Sequence, residues 1–337
     1  MLSKKCLKYA QNALTFVLDA TPSERLLVIS DEEKTDVGEI FAHAGLKNGL
    51  ITRWIRLNPG KNVVREDLPS FLREAVITNE SNIVVTCLRG QAEETPFRIK
   101  LIHLITKNKD KRLGHGPGVT NDMFSKGALA LSIEDYLKMN DFASKMINAT
   151  NGTKSINMVS QNGTDVRMSI RGRSFFTDVN ITNDKWGNLP VGEITVAPIE
   201  NSLNGTMICD LAIGGIGSIK EPVKIKCKDG KAVEISGNDK KVIKQVKKTL
   251  STDSMAAIVG EMAIGINPKA RIVKEFVETE KVFGTVHIAF GRNIDFPTGG
   301  KNNSANHMDF LIERPTVNVI MEDNTLREIV SNGKISK

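Results

Sequence analysis

At 337 residues, with 40% hydrophobic and 25% charged residues, the chain has the make-up of a globular protein long enough for two ordinary domains. Aromatics are only 5%, so the core must be built from Val, Ile, Leu and Met. The net charge of +7 does not by itself call for a nucleic acid. Much of it comes from Asn238–Leu250, NDKKVIKQVKKTL, where Val242, Ile243, Val246 and Leu250 keep helical spacing and lysines take the other face. No aromatic-rich basic stretch accompanies it, so no nucleic-acid partner is expected. No apolar run reaches the roughly 18 residues of a membrane span. Gln11, Asn12 and Asp19 break the N-terminal apolar stretch that a signal peptide needs. A cytoplasmic protein without a membrane partner is expected. Cys6, Cys87, Cys209 and Cys227 form no C-x-x-C and read as buried, reduced thiols.

The first half alternates helix and strand signals. Leu2–Val17 reads as an amphipathic helix, and Arg25–Ser30 as a buried strand ending at Asp31. Asp36–Ala44 reads as a helix closed by Gly45, Leu50–Leu57 as a strand, Leu68–Thr78 as a helix and Asn82–Cys87 as a strand. Continuous apolar strands separated by helices predict a parallel sheet with flanking helices. The turn after the first strand is acidic and lacks glycine, so it is no phosphate cradle. Arg112–Met123, RLGHGPGVTNDM, reads as a loop carrying His115 and leading into a helix capped by Thr120 or Asn121.

After Asn151 the texture changes to short strands. Turn signals stand at Gln161-Asn162-Gly163, Leu203-Asn204-Gly205, Lys228-Asp229-Gly230 and Ser236-Gly237. They predict an α+β half with an antiparallel sheet and one or two helices near 238–260. NATNGTKS at 148–155 has linker-like composition, which divides the chain into an α/β domain, 1–150, and an α+β domain, 151–337.

Chemistry concentrates between Glu280 and Phe310. Two of the five histidines, His287 and His307, fall here, and His307 forms an H-x-D pair with Asp309. Residues two apart on an extended segment point to one side, so imidazole and carboxylate can converge on one ion. Glu193 and Glu261 each follow a glycine, and Glu280 immediately precedes the histidine-bearing segment. Together with the histidines they make an oxygen-rich set suited to two divalent ions such as Zn, Co or Mn.

These stretches resemble a known family. GTVHIAFG at 284–291 followed by HMD at 307–309 looks like the signature of the aminopeptidase T and aminopeptidase S metallopeptidases, the thermophilic metalloprotease family. NLPVGEITVAP at 188–198 and GEMAIGINP at 260–268 are similar to its two glutamate motifs. GTDVRMSIRGR at 163–173 and PGVT at 117–120 also match, in the same order. The resemblance implies that Glu193, Glu261, His287, His307 and Asp309 ligate a metal pair in the C-terminal domain of a homodimer. The chain departs from those peptidases in two ways: it is shorter, and no tyrosine follows the GTVHIAFG histidine. Its only tyrosines are Tyr9 and Tyr136. In both respects it is similar to the family's short branch. A mononuclear iron dioxygenase that opens dihydroxypyridine rings is a further relative, with a histidine at the place of Glu261.

The expected function is that of a metal-dependent aminopeptidase acting on small peptides. Glu280 is the expected general base, and Glu193 and Asp309 the expected bridging ligands. Arg171 and Arg173 are expected to hold a substrate carboxylate, and Asn293 and Asn302 to donate to the substrate. The alternatives are an Fe(II) ring-cleaving dioxygenase using His287, His307 and Asp309, and a non-catalytic metal-binding relative.

Overall fold

The computed structural model describes residues 3–336, apart from 59, 61, 62, 79, 108, 109 and 183–185. The chain divides into two compact units. The first comprises residues 1–140, 178–192 and 267–278, and the second residues 141–177, 193–266 and 279–337.

The first unit is built on five parallel strands, in the order Ile51–Leu57, Arg25–Asp31, Ile83–Leu88, Arg112–Pro117 and Trp186–Asn188. The three central strands are buried along nearly their whole length, as continuous apolar runs require. Opposite faces of Arg25–Asp31 meet different helices. Leu27 and Ile29 pack with Leu72 and Val76 of helix Ser70–Thr78 and with Phe97 and Leu101 of helix Thr95–Thr106. Leu26 and Ser30 face helix Thr35–Lys47, where Gly45 and Gly38 let the two backbones close up.

Two expectations change here. Gly45 does not close its helix, which runs on to Lys47: a Cβ at Gly45 would stand 2.5 Å from Leu26 Cδ2, so glycine serves helix–strand packing. Arg112–Pro117 is a strand rather than a loop. Its glycines also serve close packing, since a Cβ at Gly114 would stand 2.5 Å from Leu189 Cδ1. His115 is consequently buried, with Nδ1 2.6 Å from Thr86 Oγ1, and burial pushes its pKa down to about 3. It is a neutral structural histidine. The helix expected over 2–17 is observed over Lys4–Phe16, Leu2 lying outside the described residues.

The second unit holds two antiparallel sheets. An eight-stranded sheet carries the hairpins at two of the expected turns, Thr153–Val159 with Asp165–Ser169 and Val223–Lys228 with Lys231–Gly237. Asp229 and Gly230 both have positive φ, the conformation of a two-residue hairpin turn. Gly205 is not a turn but a strand residue, and Gly237 ends a strand before the single helix of this region, Lys240–Thr249. The seven-stranded sheet has the order Gly217–Ser218, Ala212–Ile213, His307–Ile312, Val286–Gly291, Val259–Gly265, Glu193–Val196 and Phe176–Thr177. Among the described residues, no helix is long and apolar enough to cross a membrane.

A buried charge network ties the carboxyl ends of the parallel strands together. Arg65 forks between Asp31 (2.5 Å) and Glu94 (2.5 Å), and Arg89 also reaches Glu94 (2.5 Å). Burial would raise the Glu94 pKa, but its bonds to Arg65 and Arg89 outweigh that and hold it down to about 2. Glu94→Gln would leave buried guanidinium charge uncompensated. We expect it to lower the unfolding free energy at pH 7 by about 3 kcal/mol. Because Glu94 ionises at lower pH folded than unfolded, its contribution is full above the unfolded value of 4.5 and fades as pH falls towards 2. Urea titrations of variant and wild type should therefore converge on acidification, and a gap independent of pH would contradict this account.

Candidate metal centre

The five expected ligands share one face of the seven-stranded sheet. In antiparallel pairing, residues directly opposite each other point to the same side. Leu311, His287, Ala263, Thr195 and Phe176 form one cross-strand row. Asp309, Ala289 and Glu261 form the next, His307 pairs with Gly291, and Glu193 pairs with Gly265. Ile194, Met262, Ile288, Phe290, Met308 and Phe310 alternate with them on the opposite, apolar face and are buried. The ligands thus stand on rigid strands, and Ala263 and Ala289 keep the space between them clear.

Two glycines make this face possible. The register slips between Val259 and Glu261, a β-bulge at Gly260 that sends Val259 to the apolar face and Glu261 to the other. A Cβ at Gly260 would stand 2.6 Å from the Gly291 carbonyl oxygen. At Gly265 a Cβ would stand 2.2 Å from the Val282 carbonyl oxygen and 2.9 Å from that of Glu280. The turn 280–282 can therefore rest on the strand directly beside Glu193, which delivers Glu280 and Lys281 to the cluster.

The side chains form two overlapping sets. Around His287, Nε2 lies 3.6 Å from Glu193 Oε2, 3.9 Å from Glu261 Oε1 and 3.9 Å from Asp309 Oδ1. Around His307, Nε2 lies 2.9 Å from Glu261 Oε2 and 3.3 Å from Asp309 Oδ1. Glu261 and Asp309 therefore reach both imidazoles. Donor atoms of Glu193, Glu261 and His287, of Glu261, His307 and Asp309, and of Glu280, His287 and Asp309 lie within 4.8 Å of one another in each group. Outside these contacts the ligands are oriented by their surroundings. His307 Nδ1 is 2.8 Å from the Arg292 carbonyl, which leaves Nε2 for the cluster, and Thr195 Oγ1 donates to Glu261 Oε1 at 2.5 Å. Glu193 Oε2 is buried and accepts no hydrogen bond from the described residues. An imidazole–carboxylate set with such an atom aimed at an imidazole nitrogen fits a divalent cation.

Electrostatics follow the same geometry. Burial opposes charge on His307, yet Asp309 and Glu261 outweigh it and raise its pKa well above the ordinary value. Burial likewise works against the Asp309 carboxylate, but His307, His287 and Lys281 hold it down to about 2. Glu261 is lowered against its burial chiefly by His307. Glu280 goes the other way. Burial, with Glu193 and Asp309 nearby, raises it well above the usual carboxylate range despite the Lys281 charge.

The other expected site residues are employed elsewhere. Arg171 is exposed and pairs with Glu322 at 3.2 Å. Arg173 is bidentate to Glu200 (2.9 and 2.8 Å) and donates to the Pro198 carbonyl (2.6 Å). Asn293 and Asn302 are buried and hold backbone rather than presenting donors. The Asn293 amide donates to Gly260 O (3.0 Å), and that of Asn302 to Val259 O (2.9 Å) and Gly291 O (3.0 Å). They fasten the segment before His307 to the bulge that aims Glu261. Tyr9 and Tyr136 belong to the first unit, and Tyr136 is buried against Phe16 at 5.2 Å, so neither lies in the unit that carries the cluster. Thr195 and Lys281 were not singled out in the sequence. Lys281 is fully buried, with Nζ 2.5 Å from Glu193 Oε1 and 3.1 Å from Glu280 Oε1. Its adjacency to Glu280 was the available signal.

Two outcomes follow. A divalent ion must displace the proton that Asp309 and Glu261 favour on His307, so metal uptake near neutral pH should release protons and weaken as pH falls. Calorimetry in buffers of different ionisation enthalpy measures this, and uptake without proton release would contradict the geometry. Gly265→Ala should push the 280–282 turn off its strand and cut metal affinity by at least about tenfold, while the first unit's parallel sheet stays folded. Wild-type metal affinity in that variant would show that the turn is not held by this contact.

The chain matches one family profile and a curated protein, and two solved structures along most of their fold. The thermophilic metalloprotease (M29) family profile matches residues 132–335. Aminopeptidase T of Thermus aquaticus is 28% identical over 165 residues, a match covering 44% of this chain and 40% of that protein's length. Among solved structures, wild-type AmpT from Thermus thermophilus superposes with a TM-score of 0.75 at 17% identity, covering 99% of each chain. The 2,5-dihydroxypyridine dioxygenase of Pseudomonas putida superposes with a TM-score of 0.73 at 14% identity, covering 100% of this chain and 98% of that one. At such identities the structural matches speak for the fold alone. With the family profile spanning more than half of its residues, the chain belongs to the thermophilic metalloprotease (M29) family.

Proposed function

We propose that the protein is a metal-dependent aminopeptidase that removes N-terminal residues from small peptides with two divalent ions, Zn, Co or Mn. One observation carries the two-ion reading: two imidazoles, each with its own neighbours, share the carboxylates of Glu261 and Asp309. Glu261 presents Oε1 towards His287 and Oε2 towards His307, the arrangement expected of a bridge. Glu193 appears on the His287 side alone, so bridging passes to Glu261 and Asp309. Family membership and the aminopeptidase T match supply the substrate class. The homodimer belongs to this proposal as well.

Bound divalent ions supply a Lewis acid for the scissile carbonyl and acidify a water. The chain's own residues do the rest. Glu193 and His287 would hold one ion and His307 the other, and Thr195 fixes the rotation of Glu261. Glu280 takes the proton from the attacking water and passes it to the departing amine. Its raised pKa suits a carboxyl that must hold a proton between these steps. The cluster's unit has neither a tyrosine nor an uncommitted Asn293 or Asn302 amide to stabilise the tetrahedral intermediate. Losing one such donor commonly costs about 10²–10³ in rate, so turnover of generic substrates should be slow.

A second reading has its own observation. Asp309 Oδ1 lies 3.3 Å from His307 and 3.9 Å from His287, a two-histidine, one-carboxylate set that could serve a single Fe(II) in ring cleavage. Glu261, between the two imidazoles, favours two ions.

Metal analysis and kinetics on aminoacyl amides test the proposal. Two Zn, Co or Mn per chain and metal-dependent release of the N-terminal residue are expected. Glu280→Gln should retain metal while kcat falls by about 10²–10³. A single Fe(II) with turnover of a dihydroxypyridine, or bound metal without turnover of any peptide, would overturn it.

A further inference from the structure

We propose that Lys281 is a fixed internal cation of the centre that makes the two ion positions unequal, weakening the one beside His287 and leaving the one beside His307 strong. The inference rests on the two-ion reading and adds a positioning residue to it. Lys281 is 0% exposed, and its Nζ lies 2.5 Å from Glu193 Oε1 and 3.1 Å from Glu280 Oε1. Both carboxylates belong to the His287 side. On the other side, His307 stands 2.9 Å from Glu261 and 3.3 Å from Asp309, and Thr195 steadies Glu261.

Two consequences follow. The ammonium 2.5 Å from Glu193 Oε1 competes with a metal for that oxygen, so the Glu193 atom best placed for a metal is Oε2, which lies 3.6 Å from His287 Nε2 and accepts no hydrogen bond from the described residues. Glu193 thereby favours binding through one terminal donor atom. The ammonium also repels a divalent ion held by the carboxylates it touches. At a few ångströms, in a site shielded from water, that repulsion is worth on the order of tenfold or more in affinity. Placement is built into the backbone, because Gly265 seats the 280–282 turn against the strand that faces Glu193. A buried lysine here therefore acts on one ion and not equally on both.

The test is a calorimetric titration of Zn²⁺ into the full chain stripped of metal. Wild type is compared with Lys281→Gln and Lys281→Met, and melting temperature serves as the check on folding. Wild type should bind two ions of unlike affinity, at least about tenfold apart. In a folded variant the weaker ion should tighten by about tenfold or more while the stronger one is unchanged. A lysine with only a structural role would not improve the binding of one ion alone. Unchanged or weaker binding of the second ion in a folded variant would overturn the inference. If neither variant folds, two wild-type ions of equal affinity would overturn it and unequal ones support it. One ion in wild type and two in a Lys281 variant would refute the two-ion reading for the native protein but support the role of Lys281. One ion throughout would refute both.

Discussion

Four acidic side chains, those of Glu193, Glu261, Glu280 and Asp309, are buried together beside a single sheet; Glu280 yields by favouring its protonated form, and the mutual repulsion of the other three is the constraint on which the metal centre depends. A carboxylate removed from water without a partner costs several kcal/mol. The three that stay ionised are tolerable only beside positive charge. The Lys281 ammonium, 2.5 Å from Glu193 and 3.1 Å from Glu280, supplies one such charge. The raised pKa of His307 shows how strongly the remaining carboxylates attract another. Divalent cations satisfy the same demand, so affinity for metal is a direct result of the way the sheet folds.

The backbone sets the aim of these groups. Strand alternation sends the apolar partners Ile288, Phe290, Met308 and Phe310 to one side and the ligands to the other. The bulge at Gly260 rotates Glu261 onto the ligand face, and the amides of Asn293 and Asn302 grip the carbonyls around it. Gly265 allows a second chain segment to lie against the strand and bring Glu280 and Lys281 within reach. Each device is a close backbone approach that a side chain would block. The glycines of GEMAIG are thus as necessary to the centre as its glutamate.

Much of this was legible in the sequence. Long apolar runs and their intervening helices announced the parallel sheet, and the period-two pattern of GTVHIAFG placed His287 on a strand. The H-x-D pair announced convergence, and Glu193 and Glu261 were reachable through the family resemblance. What remained hidden depended on contacts between distant segments. RLGHGP has the composition of a loop, yet Leu189 and Thr86 press against Gly114 and Gly116 and make it a strand of the sheet. Lysine is seldom fully buried, so beyond its adjacency to Glu280 nothing in the sequence marked Lys281 as lying between two glutamates. Asn293 and Asn302 look like donors for a substrate because carbonyls that claim them, those of Gly260 and Val259, lie far away in sequence. The arginines of RGR likewise find partners, Glu322 and Glu200, that sequence proximity does not suggest.

The central claim is that Glu261 and Asp309 stand between two distinct cation positions. Anomalous diffraction at the zinc absorption edge, from crystals of the full chain loaded with Zn²⁺, tests it most directly. The account predicts two peaks about 3.5–4 Å apart, one at His287 with Glu193 and one at His307, with both shared carboxylates between them. A single peak held by His287, His307 and Asp309, with Glu261 turned away, would contradict it.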